Sequence, residues 1–397
     1  MPAFSCCASW LCRADGAAIG CGLSRRVIRP GTWRQVLAME RTPIIALATA
    51  KLLILAYGIA AALLIGGIRI ESPYDALEIW RQWDVQNYLA IAERGYASGT
   101  GERALAFFPF FPLSIAAAAF VVRDYLVGGF LVATLASIAA VVALHRLVRR
   151  DETAEVAVAA VLFLLVFPTS FVLHIPYSEG LCLSLALIAF LAARDGRWLP
   201  ASAFAALAAF TRVNGALLLI ALAVEAYAGF RVDRKVRAAW AWLGLVPLGT
   251  VGYLAVNQLV AGDPFRFVAL HRIYWEKTLD WPWAGVIRLW IGAAEPSSAQ
   301  LIWVGELLFI ALCVATSAAA AVMLRPSYAT WSAANTLLFM STGTPLSVPR
   351  YALLLFPLFI LLGRLAGRGR WPVLVVVPSI GLLCFLVGRF VLGQWAF

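Results

Sequence analysis

Asp84 stands among aromatics in the run WRQWDVQNY (Trp80–Tyr88), with Trp80, Trp83, Asn87 and Tyr88 as close chain neighbours. If the run is helical, Trp80, Asp84 and Tyr88 fall at i, i+4 and i+8 with Asn87 beside them, on one face. A carboxylate partly desolvated by such rings could take a proton from a sugar hydroxyl. It could equally cap the local chain or pair with Arg81. Glu179 lies in FPTSFVLHIPYSEGL (Phe167–Leu181), after His174 and Tyr177. It could cap the next helix, where negative charge is favourable, hold a donor or acceptor hydroxyl, or assist a metal. His174 could bind phosphate or sit at an interface.

Two arginines complete the set. Arg212 ends an apolar run in AFTRVNGALL, with Asn214 two residues on, and Arg350 opens one in SVPRYALLLFPLF, followed by Tyr351. An arginine at membrane depth suits an anionic partner such as a lipid phosphate; snorkelling or a structural ion pair is the plainer alternative. The stretch GDPFRFVALHRIYW (Gly262–Trp275) adds Arg266, His271, Arg272 and Trp275, either as a lid over a lipid-linked substrate or as an ordinary amphipathic loop.

These residues must be held by something largely apolar. Of 397 residues 62% are hydrophobic and 13% charged, a surface that a soluble chain of this length cannot solvate. Continuous Leu- and Ala-rich runs suit helices crossing a hydrocarbon core of ~30 Å, and argue against strands. The chain is expected to be an all-α polytopic membrane protein. Apolar runs lie near 44–68, 105–122, 125–148, 154–173, 177–193, 198–212, 214–230, 236–258, 301–324, 327–342, 347–363 and 371–392. Pro109 and Pro112 among phenylalanines make 105–122 a poor spanning helix. If it is re-entrant or interfacial, about eleven spans remain, and the basic clusters HRLVRR, RDGR, RVDRKVR and GRLAGRGR all fall on the N-terminal side, the cytoplasmic one by the positive-inside rule. Asp84, Glu179, Arg212 and Arg350 then share the opposite face, with external loops at 69–124 and 259–300.

Several functions are excluded. The net charge of +11 sits in short loops rather than in basic runs with polar linkers, which excludes nucleic acid. The seven cysteines form no CxxC pair and there are three histidines, so no metal-binding cluster is expected from the residues themselves. There is no phosphate-binding glycine loop and no nucleophile elbow. Residues 1–43 are expected to be a disordered cytoplasmic segment, with Met39 the alternative start, and 44–397 the transmembrane domain.

The ordered set WDVQNYLAIAERGY, AFFPFFPL, FPTSFVLHIPYSEGL, FTRVNG and RYALLLFPLF resembles the PIG-V family, over roughly residues 44–363. Its eukaryotic members are the second mannosyltransferases of glycosylphosphatidylinositol assembly. The resemblance implies a GT-C fold with interfacial helices in the first external loop. It implies inverting transfer of mannose or another hexose from a polyprenyl-phosphate donor, with Asp84 as general base. Arg212 and Arg350 would stabilise the leaving phosphate, and Glu179 would orient an acceptor or assist a divalent cation, Mg or Mn, if one is used. Trp80, Trp83, Asn87, Tyr88, His174, Tyr177, Asn214 and Tyr351 join the substrate-binding set. The Ala- and Arg-rich composition suits a bacterial plasma membrane and leaves the glycan or glycolipid acceptor open. The rival reading is a transporter or flippase of lipid-linked sugars, whose polar groups would form a file across the membrane.

Overall fold

The computed structural model describes residues 33–96, 101–297, 299–367 and 369–396. Met1–Met39 and Glu40–Phe397 form two separate units, and the second holds the membrane helices and every candidate site residue. The expectations for the N-terminal segment, its disorder and a start at Met39, fall largely outside the described residues. Among those residues the chain is helical, and its one bridge of β type joins Leu279 to Thr342.

Six helices are long and apolar enough to cross a membrane, or seven if one bent pair counts as a span. They are α1 (Trp33–Leu64, the span from Arg41), α5 (Tyr125–Val148), α9 with α10 (Val213–Ala216, Leu218–Asp233), α11 (Val246–Ala261, preceded by a 3-10 turn), α14 (Gln300–Met323) and α18 (Trp371–Val391). The chain is an integral, multi-pass membrane protein. The bent pair is the segment Val348–Leu354 with α17 (Phe356–Leu365), turned by 78°.

The span count differs from the expectation of about eleven, for reasons the chain makes plain. Helix α4 (Phe110–Val122), in the 105–122 run already left out of the eleven, has 13 residues, a rise of about 20 Å, short of the ~30 Å core. Pro112 sits in its first turn, where a missing N–H costs nothing. Helices α6 (Ala154–Leu165) and α8 (Trp198–Thr211) are equally short. The run expected as one span at 154–173 stops being α-helical at Leu165, before Pro168, and continues as a 3-10 turn over Ser170–Leu173. Its backbone is irregular but buried in protein from Phe167 to Leu173, a setting in which a bilayer tolerates non-helical chain. Ser170 Oγ donates to Leu165 O at 2.8 Å, closing the break.

Small residues bring the helices together. A Cβ added at Gly249 of α11 would lie 2.0 Å from Ala206 O of α8, and one at Gly363 of α17 would lie 2.7 Å from Val156 O of α6. Without a hydrophobic drive between helices in lipid, such close backbone approach supplies the packing.

Helix α7 (Ser178–Arg194) runs between two polar clusters. At its C-terminal end Arg194 meets Asp151 at 2.7 Å, Arg150 meets Asp195 at 2.6 Å and Arg325 meets Glu225 at 2.8 Å. Arg364 Nε donates to Glu152 at 2.9 Å. Three of the basic clusters read from the sequence contribute to this end, which ties together the tips of α5, α7, α15 (Pro326–Met340) and α17. The candidate site lies at the other end of α7.

Gly249→Val is expected to destabilise the protein by about 1–3 kcal/mol through overpacking. Gly244→Ala, whose Cβ would meet nothing within 4 Å, should change stability by less than about 0.5 kcal/mol. Thermal unfolding in detergent compares the two.

Candidate active site

The segment after α1 delivers Asp84 as the first residue of α3 (Asp84–Arg94). The helix begins there and not at Trp80, so only Asp84, Asn87 and Tyr88 share the predicted face. Trp80 lies in the preceding turn, fully buried, against Phe390 at 6.1 Å. Trp83 precedes the helix at φ 52, ψ −122, a conformation that non-glycine residues rarely adopt. That strained residue directly before the carboxylate fixes where the helix starts, and its ring meets Trp395 edge-on at 5.5 Å. Arg81 is not the partner of Asp84; it pairs with Glu78 at 3.3 Å.

The partner comes from the far end of the chain. Arg350 Nη1 donates to Asp84 Oδ2 at 2.8 Å, and Arg350 Nε lies 2.9 Å from Glu179 Oε1. Arg212 Nη1 reaches the same Glu179 oxygen at 2.9 Å and donates to Ser178 Oγ at 2.7 Å. Ser178 Oγ in turn lies 2.8 Å from Tyr88 OH. Asp84, Glu179, Arg212 and Arg350 therefore form one alternating ion cluster rather than a file. Glu179 is fully buried in the first turn of α7, so the helix dipole and two guanidiniums hold it together.

Tyrosine rings pack the cations. Arg350 lies over Tyr177 and over Tyr351, each at 5.2 Å, and Arg212 lies over Tyr351 at 5.2 Å. Lys277 lies over the Tyr351 ring at 5.0 Å, and its Nζ donates to Tyr351 OH and to Leu346 O, both at 3.1 Å. Desolvated cation–π contacts of this kind are worth about 2 kcal/mol.

The cluster borders a cavity of about 890 Å³. Of the residues expected to be catalytic or to bind substrate, Trp83, Asp84, Asn87, Tyr88, Tyr177, Arg212, Asn214, Arg350 and Tyr351 line it. Trp80, His174 and Glu179 do not. His174 is buried away from it, its carbonyl accepting from Lys51 Nζ at 2.9 Å. Asn214 is tied to Asn335 at 2.7 Å, which fixes the turn after Arg212. Of the 262–275 stretch, His271 and Trp275 line the cavity, whereas Arg266 pairs with Glu102 at 2.5 Å.

Two lining cations escaped the sequence reading. Lys277 follows α12 (Arg266–Trp275), and Arg103 stacks over Tyr274 and Trp275 at 5.4 and 5.0 Å. Neither sits in a motif, so no local signal marks them. Arg212 and Arg350 are bound to carboxylates; Lys277 makes its polar contacts with a phenol and a carbonyl. His271 adds no charge near neutral pH, because burial and then the neighbouring Lys277 push its pKa down to about 4. Phe107, Phe267, Leu338 and Phe339 form an apolar part of the wall, beside uncharged polar residues such as Gln82, Gln86, Thr278 and Thr342.

Among the described residues no three His, Cys, Asp or Glu gather as a metal-binding group. A divalent cation between Asp84 and Glu179 would have to displace Arg350 from both. The arrangement does not fit one.

No family model matches the chain, and no curated protein matches it. Among solved structures it is similar to the crystal structure of ArnT from Cupriavidus metallidurans bound to undecaprenyl phosphate. The two are 16% identical over 88% of this chain and 76% of that one, with a TM-score of 0.49. The resemblance to PIG-V therefore stands on its motifs alone.

Arg350→Met would leave buried Glu179 short of one cation and Asp84 without its partner. A loss of about 3–5 kcal/mol is expected on unfolding in detergent. Adding Glu179→Gln to that variant should recover part of it, because the surplus charge is then gone; strictly additive losses would show that the two side chains do not act as a pair.

Proposed function

We propose that this protein is a membrane glycosyltransferase of the GT-C class, transferring mannose or another hexose from a polyprenyl-phosphate donor to a glycan or glycolipid acceptor. The observation that carries the reading is the cavity itself. A carboxylate, a lysine bound to a phenol and a carbonyl, and an apolar wall meet in one space at the end of the membrane helices. A polyprenyl-phosphate sugar has the complementary parts: a hydroxylated ring, a phosphate and a hydrocarbon tail. The PIG-V-like motifs surround that same space, which supports the family's activity here.

In this reading Asp84 is the general base. Arg350 engages Oδ2 and leaves Oδ1 to take the proton of the acceptor hydroxyl. The acceptor oxygen forms its bond to the anomeric carbon as the carbon–oxygen bond to phosphate breaks, with inversion. The polyprenyl phosphate leaves with the electron pair. Lys277 and Arg103 are the cations best disposed to meet the developing phosphate charge, with Arg212 and Arg350 behind them, each already tied to a carboxylate. Trp83 and Trp275 offer rings on which a sugar can stack. Glu179 acts from below by holding both arginines, not by touching the acceptor.

The site face is assigned to the extracytoplasmic side, since the Arg150, Arg194 and Arg364 cluster at the other end of α7 agrees with the positive-inside rule.

Membranes supplied with radiolabelled polyprenyl-phosphate mannose test the chemistry. Wild type should move label to a new product, and Asp84→Asn should lower kcat by about 10²–10⁴-fold. Equal transfer by both would remove Asp84 as the base. Absence of transfer together with lipid-sugar movement across sealed vesicles would favour the transporter.

Orientation has its own check in a background without native cysteines. Gln86→Cys is expected to react with an impermeant maleimide in intact cells, and Arg197→Cys only after permeabilisation. The reverse pattern would invert the assignment.

A further inference from the structure

Glu306 is an acid inside a membrane-length helix, α14, and only 1% exposed. Such a group is costly unless its oxygens are paired. Its hydrogen-bond partners are two backbone amides. Oε1 accepts the Ser347 N–H at 2.7 Å and Oε2 the Val348 N–H at 2.8 Å. Both amides stand at the start of the short turn α16 (Val348–Tyr351), the turn that carries Arg350 and Tyr351.

The turn's amides can be counted in full. A first helical turn has no internal acceptors for its N–H groups. Ser347 occupies the cap position at φ 72 and makes no side-chain cap bond. Its amide and that of Val348 go to Glu306, Pro349 has none, and Arg350 and Tyr351 both donate to Ser347 O at 3.1 Å. The capping that a serine side chain would give locally is supplied from another span. The carbonyls are held as well: Thr169 Oγ1 donates to Pro349 O at 2.8 Å, and Lys277 Nζ to Leu346 O.

We infer that Glu306 is a positioning residue: it caps the Val348–Tyr351 turn from within the membrane and thereby sets where the Arg350 guanidinium meets Asp84 and Glu179. Its effect on catalysis rests on the glycosyltransferase reading above; its effect on the turn does not. Glutamine at this position keeps one acceptor and turns an NH₂ towards a backbone N–H, so one amide loses its partner. Arg350 would then drift from Asp84 by a fraction of an ångström or more, enough to matter for a base that must be aligned.

Two measurements on detergent-solubilised full-length protein test this. Hydrogen exchange should be faster in E306Q over residues 341–351 and unchanged over 178–194. In the transfer assay E306Q should lower kcat about 10- to 100-fold with KM nearly constant, yet lower it less than twofold further in an R350K background. Unchanged exchange at 341–351 overturns the proposal, as do losses that multiply fully across the two backgrounds, or exchange raised evenly through the chain. If E306Q does not accumulate as folded protein, E306D, one methylene shorter, carries the same comparisons with the same outcomes. A wild type that transfers no sugar counts against the glycosyltransferase reading alone, since the exchange result still decides the role of Glu306.

Discussion

One guanidinium serves two carboxylates. Arg350 touches Asp84 on one edge and Glu179 on the other, and it is itself 8% exposed. Each carboxylate would be expensive to bury alone, and the arginine would be too. Together with Arg212 they form an alternating set whose members are stable only in company. The contact also joins chain segments 266 residues apart, so it ties the segment after α1 to the last third of the chain. Much of the architecture serves this one meeting: the early stop of α6, the buried 3-10 turn, and the short α16 held by α14 and by Lys277.

The environment explains why the cluster is arginine and not lysine. The guanidinium presents a planar fork, so a single side chain can bond to separate acceptors in fixed directions. Its flat face stacks on Tyr177 and Tyr351 at the same time. Lysine appears where a point charge suffices, at Lys277, facing the cavity.

How much of this is legible in the chain varies with the kind of signal. Apolar runs announce membrane helices because lipid demands them, and the principal spans lie where those runs do. Helix ends are less visible. The 154–173 run looks continuous in hydropathy, yet Pro168 and the hydroxyls around it divert the backbone into a turn whose polar groups are satisfied inside the protein. The four charged residues Asp84, Glu179, Arg212 and Arg350 stand out because each lies among aromatics or at the edge of an apolar run. Their mutual pairing does not, since nothing local says which acid meets which base. Trp80 illustrates the limit of periodicity: i, i+4 spacing is real only inside a helix, and the helix starts four residues later. Lys277, Arg103 and Glu306 carry no motif, and tertiary contact alone gives them meaning.

The shortness of α7 has a geometric consequence. Its 17 residues rise about 25 Å, some 5 Å less than the hydrocarbon core. Ser178 and Glu179 open this helix and hold Arg212 and Arg350, which line the cavity, so the ion cluster is tied to the end of a helix shorter than the core. In the glycosyltransferase proposal, a headgroup on a membrane-bound tail would reach the ion cluster while the tail stays in its own leaflet, and a water-borne acceptor would meet it from above. Under the proposed transfer, such a placement would let two substrates of opposite solubility approach the same carboxylate from different phases.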